Sequence, residues 1–188
     1  RAGAAYTWSD IETSRSATFP GVSERLKSDY DAGTFQVFGE FGYGIEAGGA
    51  RFEPFGSLAY VNLDTDGFSE SGGDAALRGS DDATDATFTT LGLRAEAGIE
   101  TDSIAVTARG MIGWRHSLGD TLPHSAHAFA GSDAFTVEGI AIAEDAAVVE
   151  AGLDLILSPE ASLGVSYAGQ LAEDATDHGF KADLSISF

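Results

Sequence analysis

Large apolar residues alternate with small or polar ones along nearly the whole chain, the period of two expected of strands with two unlike faces. In the last segment Phe180, Ala182, Leu184, Ile186 and Phe188 share one face, opposite Lys181, Asp183, Ser185 and Ser187. The same rule holds for Leu163, Val165, Tyr167, Gly169 and Leu171, and for Val149, Ala151, Leu153, Leu155 and Leu157 opposite Glu150 and Asp154. Upstream it continues in segments 104–114, 91–99 and 35–45, with Phe38, Met111 and Ile156 as apolar exceptions on the polar face. Segments 2–8 and 52–63 are less regular. In the second, Phe52, Leu58 and Tyr60 give way to Val61 and Leu63, which predicts a bulge. Eight strands are expected.

A soluble sandwich or barrel turns such an apolar face inward, whereas a membrane barrel turns it outward around a polar lumen. Charges of both signs sit at the centres of the polar faces. Glu40, Arg94, Glu96, Arg109 and Arg115 lie on the earlier strands, and Glu150, Asp154, Lys181 and Asp183 on the later ones. These nine are the candidate lumen-facing charges. The connections alternate in length: long at 11–30, short at 47–50, long at 64–86, short at 100–102, long at 117–145, short at 158–160 and intermediate at 172–177. Alternation of this kind belongs to an up-and-down transmembrane barrel, with short turns on the periplasmic side and longer loops outside. The sequence therefore predicts an all-β, antiparallel, up-and-down transmembrane β-barrel.

Composition narrows the classes further. The 188 residues suffice for one domain, and 43% hydrophobic content excludes a wholly disordered chain. No apolar run exceeds five residues even with glycine counted, far short of the roughly 20 a membrane helix needs. A formal net charge of −20 disfavours nucleic acid as a partner, and the acids concentrate in the connections outside the predicted membrane band. Absence of cysteine removes disulfides, thiolate catalysis and zinc–thiolate sites. The chain starts at Arg1 almost directly with a strand pattern, which reads as a mature fragment or excised domain.

Several stretches together resemble the autotransporter β-domain, the translocator of type V secretion. Residues 53–61 (EPFGSLAYV) followed by 66–73 (DGFSESGG) are similar to the family's "PYAGLAYV…DGFTESGG". Thr90-Leu91-Gly92-Leu93-Arg94 is similar to "TLGLR", Gly113-Trp114-Arg115-His116 to "GWRH", and Gly152-Leu153-Asp154 to "GLD", in the family's order. The resemblance implies that residues 1–188 form a single outer-membrane translocator domain of a Gram-negative bacterium. It implies eight strands of a barrel that ordinarily has twelve, without the first strands, the lumenal helix or the passenger. The expected partners are outer-membrane lipid and lipopolysaccharide, the barrel assembly machinery and the protein's own passenger. The alternative is an independent eight-stranded outer-membrane structural or adhesion-type protein with acidic binding loops.

Phe180, Leu184, Ile186 and Phe188 resemble the C-terminal signal read by the assembly machinery, through a strand able to add to a sheet edge. Tyr6, Trp8, Tyr43, Tyr60, Trp114 and Tyr167 are expected near strand ends, as interfacial aromatics at headgroup level. His116, His124 and His127 fall in a predicted loop without a strand to fix metal geometry. Asp64-Thr65-Asp66-Gly67 lacks the remaining ligands of a calcium loop, and no Gly-x-Ser-x-Gly elbow occurs. No cofactor and no catalytic residue is expected; enzymatic activity would belong to a passenger.

Overall fold

The computed structural model describes residues 1–100, 104–173 and 175–186. In chain order the strands are β1 (Ala2–Phe19), β2 (Val22–Gly42), β3 (Ile45–Ala47), β4 (Ala50–Thr65), β5 (Phe68–Ser69), β6 (Leu77–Gly79) and β7 (Asp82–Glu100). They continue with β8 (Ala105–Gly119), β9 (His124–Phe129), β10 (Phe135–Glu138), β11 (Asp145–Ser158), β12 (Ala161–Leu171) and β13 (Thr176–Ile186). Eight long strands pair antiparallel with their sequence neighbours in the order β1-β2-β4-β7-β8-β11-β12-β13, with β3 paired to β4. The result is a meander curled as part of a barrel wall. A second, four-stranded sheet, β10-β9-β6-β5, forms from the two longest connections.

Register divides the large sheet into two faces, because directly opposed residues of an antiparallel ladder point the same way. Arg94 stands opposite Glu53 and Met111, Met111 opposite Glu150, and Glu150 opposite Ala168. Following the register strand by strand puts all nine candidate charges on one face, called here the polar face. Burial follows the same division. Among the described residues, the buried side chains are Leu26, Phe55, Ala86, Ala146, Val148, Ser28, Thr90 and Ser117, and every one lies on the polar face; on the apolar face only Gly169 is buried, beneath Tyr167. The apolar face carries the exposed bulk: Trp8 and Phe41 are 79% exposed, Ile112 63% and Phe180 83%. A soluble sheet buries its apolar face; this one exposes it.

Three expectations need correction. Residues 11–30 are not a loop: β1 and β2 run on as one ladder to the Phe19–Val22 pair, closed by a tight turn in which Gly21 has φ 91°. In this extension the face that was apolar turns polar (Asp10, Glu12, Ser14, Ser16) and the other mixes Arg15, Glu24 and Ser28 with Leu26, so the alternation that signals a strand fades although the backbone pairing continues. Segment 52–63 contains no bulge, since β4 keeps unbroken register with β7 from Ala50 to Thr65. Val61 and Leu63 lie on the polar face because they pair opposite Ala86 and Thr84, beyond the outer limit of the apolar band. The register shift instead falls between Ile156 and Ser158, in the turn region of β11. Finally, the segments expected as loops at 64–86 and 117–145 contain β5, β6, β9 and β10, so His124 and His127 sit on a strand.

The short turns stand where expected at Gly48-Gly49 and after Ser158. Gly48 and Gly49 have φ of 62° and 83°, the left-handed values a two-residue hairpin needs and glycine adopts at no steric cost. Pro54 explains why β2 and β3 separate: the Tyr43 N–H donates to its carbonyl at 3.1 Å, but proline has no N–H to return the bond. Among the described residues β1 pairs only with β2 and β13 only with β12, leaving both edges of the sheet open.

Candidate functional site

The charges of the polar face converge. The Arg94 guanidinium on β7 reaches over β4 and donates to both carboxylate oxygens of Glu40 on β2, at 2.8 and 2.6 Å. Its Nη1 also donates to Glu53 at 3.1 Å, and its plane lies 3.7 Å from the centre of the Phe55 ring. A guanidinium suits this place because its fork can serve two carboxylates while stacking on an aromatic ring. Phe55 in turn lies over Gly92, where an added Cβ would stand 2.7 Å from the ring and from the Ile112 carbonyl oxygen. Farther along, Arg109 pairs with Asp154 at 2.7 Å, and Arg115 on β8 reaches over β11 to donate to Gln170 at 2.9 Å. Side chains that bridge alternate strands fit the concave side of a curled sheet. Arg51, Glu53, Arg94, Glu96, Arg109 and Glu150 line an open cavity of about 570 Å³ there. Lys181 and Asp183 pair with each other at 3.0 Å on β13, apart from that group.

On the apolar face, each strand changes character at a definite residue. Trp8 is followed on its face by Asp10, Tyr60 by Asn62, Trp114 by His116, and Phe180 is preceded by His178. The interval from Phe52 to Tyr60 is about nine residues, close to the ~9–11 a tilted strand uses to cross hydrocarbon. Polar atoms of the aromatics are satisfied at this boundary: Trp114 Nε1 donates to Asp145 at 2.8 Å, and the Tyr167 hydroxyl meets His178 Nδ1 at 2.8 Å. Tyr6 packs on Trp8 with ring centres 4.5 Å apart. Most of these aromatics are interior to their strands rather than near the ends, since the strands continue past the apolar interval; Tyr43 lies between β2 and β3 near a short turn. Phe180, Leu184 and Ile186 share the exposed face of β13, and Phe188 lies outside the described residues.

An exposed apolar face backed by a concave, ion-paired one is the arrangement of a barrel wall in a membrane. The autotransporter β-domain family model matches residues 1–168. The chain belongs to the autotransporter β-domain family. Two relatives, each an extracellular serine protease of Serratia marcescens, are 39% and 38% identical over the whole of this chain. The chain spans 18% of the length of each. As a member of this family, the β-domain is an outer-membrane β-barrel of a Gram-negative bacterium with a translocator role in type V secretion.

One part of this β-domain had no counterpart in the sequence reading. Arg15, beyond the apolar interval of β1, donates through Nε and Nη2 to the two carboxylate oxygens of Glu70, at 2.7 and 2.6 Å, and also to the Ala75 carbonyl at 2.6 Å. The hydrogen bonds from Arg15 hold the Glu70 carboxyl below the usual carboxylate range; partial burial opposes this, and the Leu77 N–H adds to it. Glu24 accepts from the Asp74 and Ala75 N–H groups at 3.1 and 2.9 Å. Leu26, between them, is fully buried. The signal for this assembly was present as Arg15, Glu24 and Glu70, but Arg15 and Glu24 meet their partners in the connection 50 or more positions away, and no local pattern joins them.

Proposed function

We propose that this β-domain exports and anchors a passenger encoded upstream in the same polypeptide, with the polar face lining the water-filled path. The observation that supports this most is the inversion of burial: the buried side chains lie on the charged face, and most of the large apolar side chains exposed on the long strands stand on the other. In water that apolar face would be a severe aggregation hazard, and in lipid it is the favourable surface. The free edges of β1 and β13 are closed in this reading by further strands from the same chain, making the twelve-stranded wall the family resemblance implies. Outer-membrane lipid and lipopolysaccharide contact the apolar face, with Tyr6, Trp8, Tyr43, Tyr60, Trp114 and Tyr167 as its interfacial aromatics. The assembly machinery engages β13 through Phe180, Leu184, Ile186 and Phe188. A protease activity such as the relatives' names state would reside in the passenger.

The direct test uses the full-length protein in its host, with an epitope in the segment preceding Arg1. The epitope is expected to be accessible to antibody on intact cells, and to become periplasmic when residues 1–188 are removed. Surface display that survives this removal would refute the translocator role. Deleting Phe188 alone is expected to cause periplasmic degradation in cells with a much smaller loss of refolding in detergent, and equal losses would sink the assembly-signal assignment.

A further inference from the structure

The β1–β2 extension beyond the apolar interval has one covered face and one bare face. On the face that continues Glu40 and Arg94, residues 66–81 fold against Arg15, Glu24, Leu26 and Tyr30 and form a joint with the extension. Phe68 stacks on Tyr30 with ring centres 5.1 Å apart, and Lys27 and Ser71 exchange backbone hydrogen bonds of 3.0 and 2.8 Å. A Cβ on Gly72, where φ is 120°, would collide with the Arg25 carbonyl, so glycine lets the connection lie against the β2 backbone. The joint therefore fixes the backbone of Arg25 and Lys27.

The side chains of Arg25 and Lys27 belong to the opposite face, the one that continues Trp8. The register sets Lys27 opposite Ser14 and Arg25 opposite Ser16, and all four are exposed. With 30 acidic residues against 10 basic ones, a basic side chain that lacks a carboxylate partner stands out in this chain. Six of the basic residues form ion pairs and Arg115 bonds to Gln170; among the described residues only Arg25, Lys27 and Arg78 have no such partner. Two of those three are neighbours on one face. Nearer the apolar interval the same face is acidic, with Asp10 opposite Asp31 and Glu12 opposite Asp29.

We propose that Arg25 and Lys27, flanked by Ser14 and Ser16, bind the phosphorylated core sugars of lipopolysaccharide in the outer leaflet. The proposal rests on the reading in which the apolar face meets lipid and the extension stands outside the cell. Height selects the core over the lipid A headgroup. Ser14 and Ser16 lie six and eight residues past Trp8, so at about 3.3 Å per residue and a strand tilt of ~35–45° the two cations stand roughly 15–20 Å above the edge of the apolar interval. Lipid A phosphates lie at headgroup level, beside Asp10 and Asp31, which repel them. Core phosphates lie higher, where two cations and two hydroxyls offer complementary charge and hydrogen bonds to a phosphorylated sugar. Because the joint already holds the β2 backbone, the pair is presented at a fixed spacing and binding requires no backbone ordering.

The test uses the full-length protein in detergent, with a fluorophore on Thr18→Cys, one rung beyond Arg25; these 188 residues contain no other cysteine. The labelled protein is titrated with lipopolysaccharide bearing a phosphorylated core, with the same molecule lacking the core phosphates, and with lipid A alone. It is expected to bind the first roughly tenfold more tightly than the other two, and to lose that preference at about 0.5 M salt. R25A/K27A is expected to bind all three alike, whereas R78A, which removes the third unpaired cation, keeps the preference. Equal affinity of the labelled protein for the three probes would overturn the proposal, as would a preference that survives R25A/K27A or that R78A also abolishes. The salt series needs neither variant to fold, and a preference indifferent to salt would overturn the proposal as well. Failure of an impermeant maleimide to reach Thr18→Cys on intact cells would strike the outward placement of the extension instead, and the two failures are thereby separable.

Discussion

The membrane wall and its outer extension share one antiparallel ladder but obtain their stability from different sources. Between the short turns and Trp8, Tyr60 and Trp114, the sheet carries apolar bulk on its exposed face and ion pairs on the concave one. Beyond Trp8 the same β1 strand presents Asp10, Glu12, Ser14 and Ser16 where apolar residues stood, and order there depends on the other face, with Leu26, Ser28 and the Arg15–Glu70 pair. In the proposed reading one region is held by hydrocarbon as its solvent, and the other by a small packed core in water. The face that tolerates change should therefore switch between the two regions of a single strand.

The largest effect is expected at the joint. Leu26→Ala removes the fully buried side chain and should cost about 2–5 kcal/mol of local stability, read as loss of amide protection confined to residues 13–30 and 66–81. Leu93→Arg, on the lipid face of the wall, should cost roughly 2–4 kcal/mol if it lies near the bilayer midplane, measured by urea unfolding in lipid vesicles. Ser14→Arg, on the same face of the sheet but in the extension, should stay within about 0.5 kcal/mol. Equal costs for these two arginines would erase the distinction between the regions. Gly92→Ala crowds Phe55 beneath Arg94, and overpacking of about 1–3 kcal/mol is expected where Gly98→Ala, with open space beside it, should be nearly silent.

The smallest effect is expected from acid at the joint. Glu70 is held below the ordinary carboxylate range by Arg15, so its stabilising share is fully present above that range and is lost as pH falls through the depressed folded value. Lowering the pH from 8 to 5 should leave amide protection of residues 66–81 unchanged, with loosening below about pH 4, where ordinary carboxylates protonate. In Glu70→Gln the acid-dependent step should disappear.

How much of this was legible in the sequence follows from the same contrast. A strand announces itself by alternation only where its two faces meet different media, and that is why Phe180 to Ile186 or Leu91 to Ile99 could be read directly. The β1–β2 extension has polar residues on both faces, so its pattern resembles a loop although Ala2 to Phe19 is one continuous strand. Sharing of one face by Glu40, Arg94, Arg109 and Glu150 was also readable, since parity within each strand settles it. Their pairing was not, because Arg94 reaches Glu40 over an intervening strand. The joint was least accessible: Arg15 and Glu70 are 55 positions apart, and only the fold brings them together.

The central claim, that the charged face lines water and the apolar face meets lipid, can be tested by labelling single cysteines in this cysteine-free stretch of the full-length protein. Cysteines at Arg94 and Glu150 should react with a membrane-impermeant, water-soluble maleimide and resist a lipid-dissolved one, whereas cysteines at the neighbouring Leu93 and Val149 should do the opposite. Water-phase reactivity at Leu93 and Val149 with protection at Arg94 and Glu150 would contradict the account.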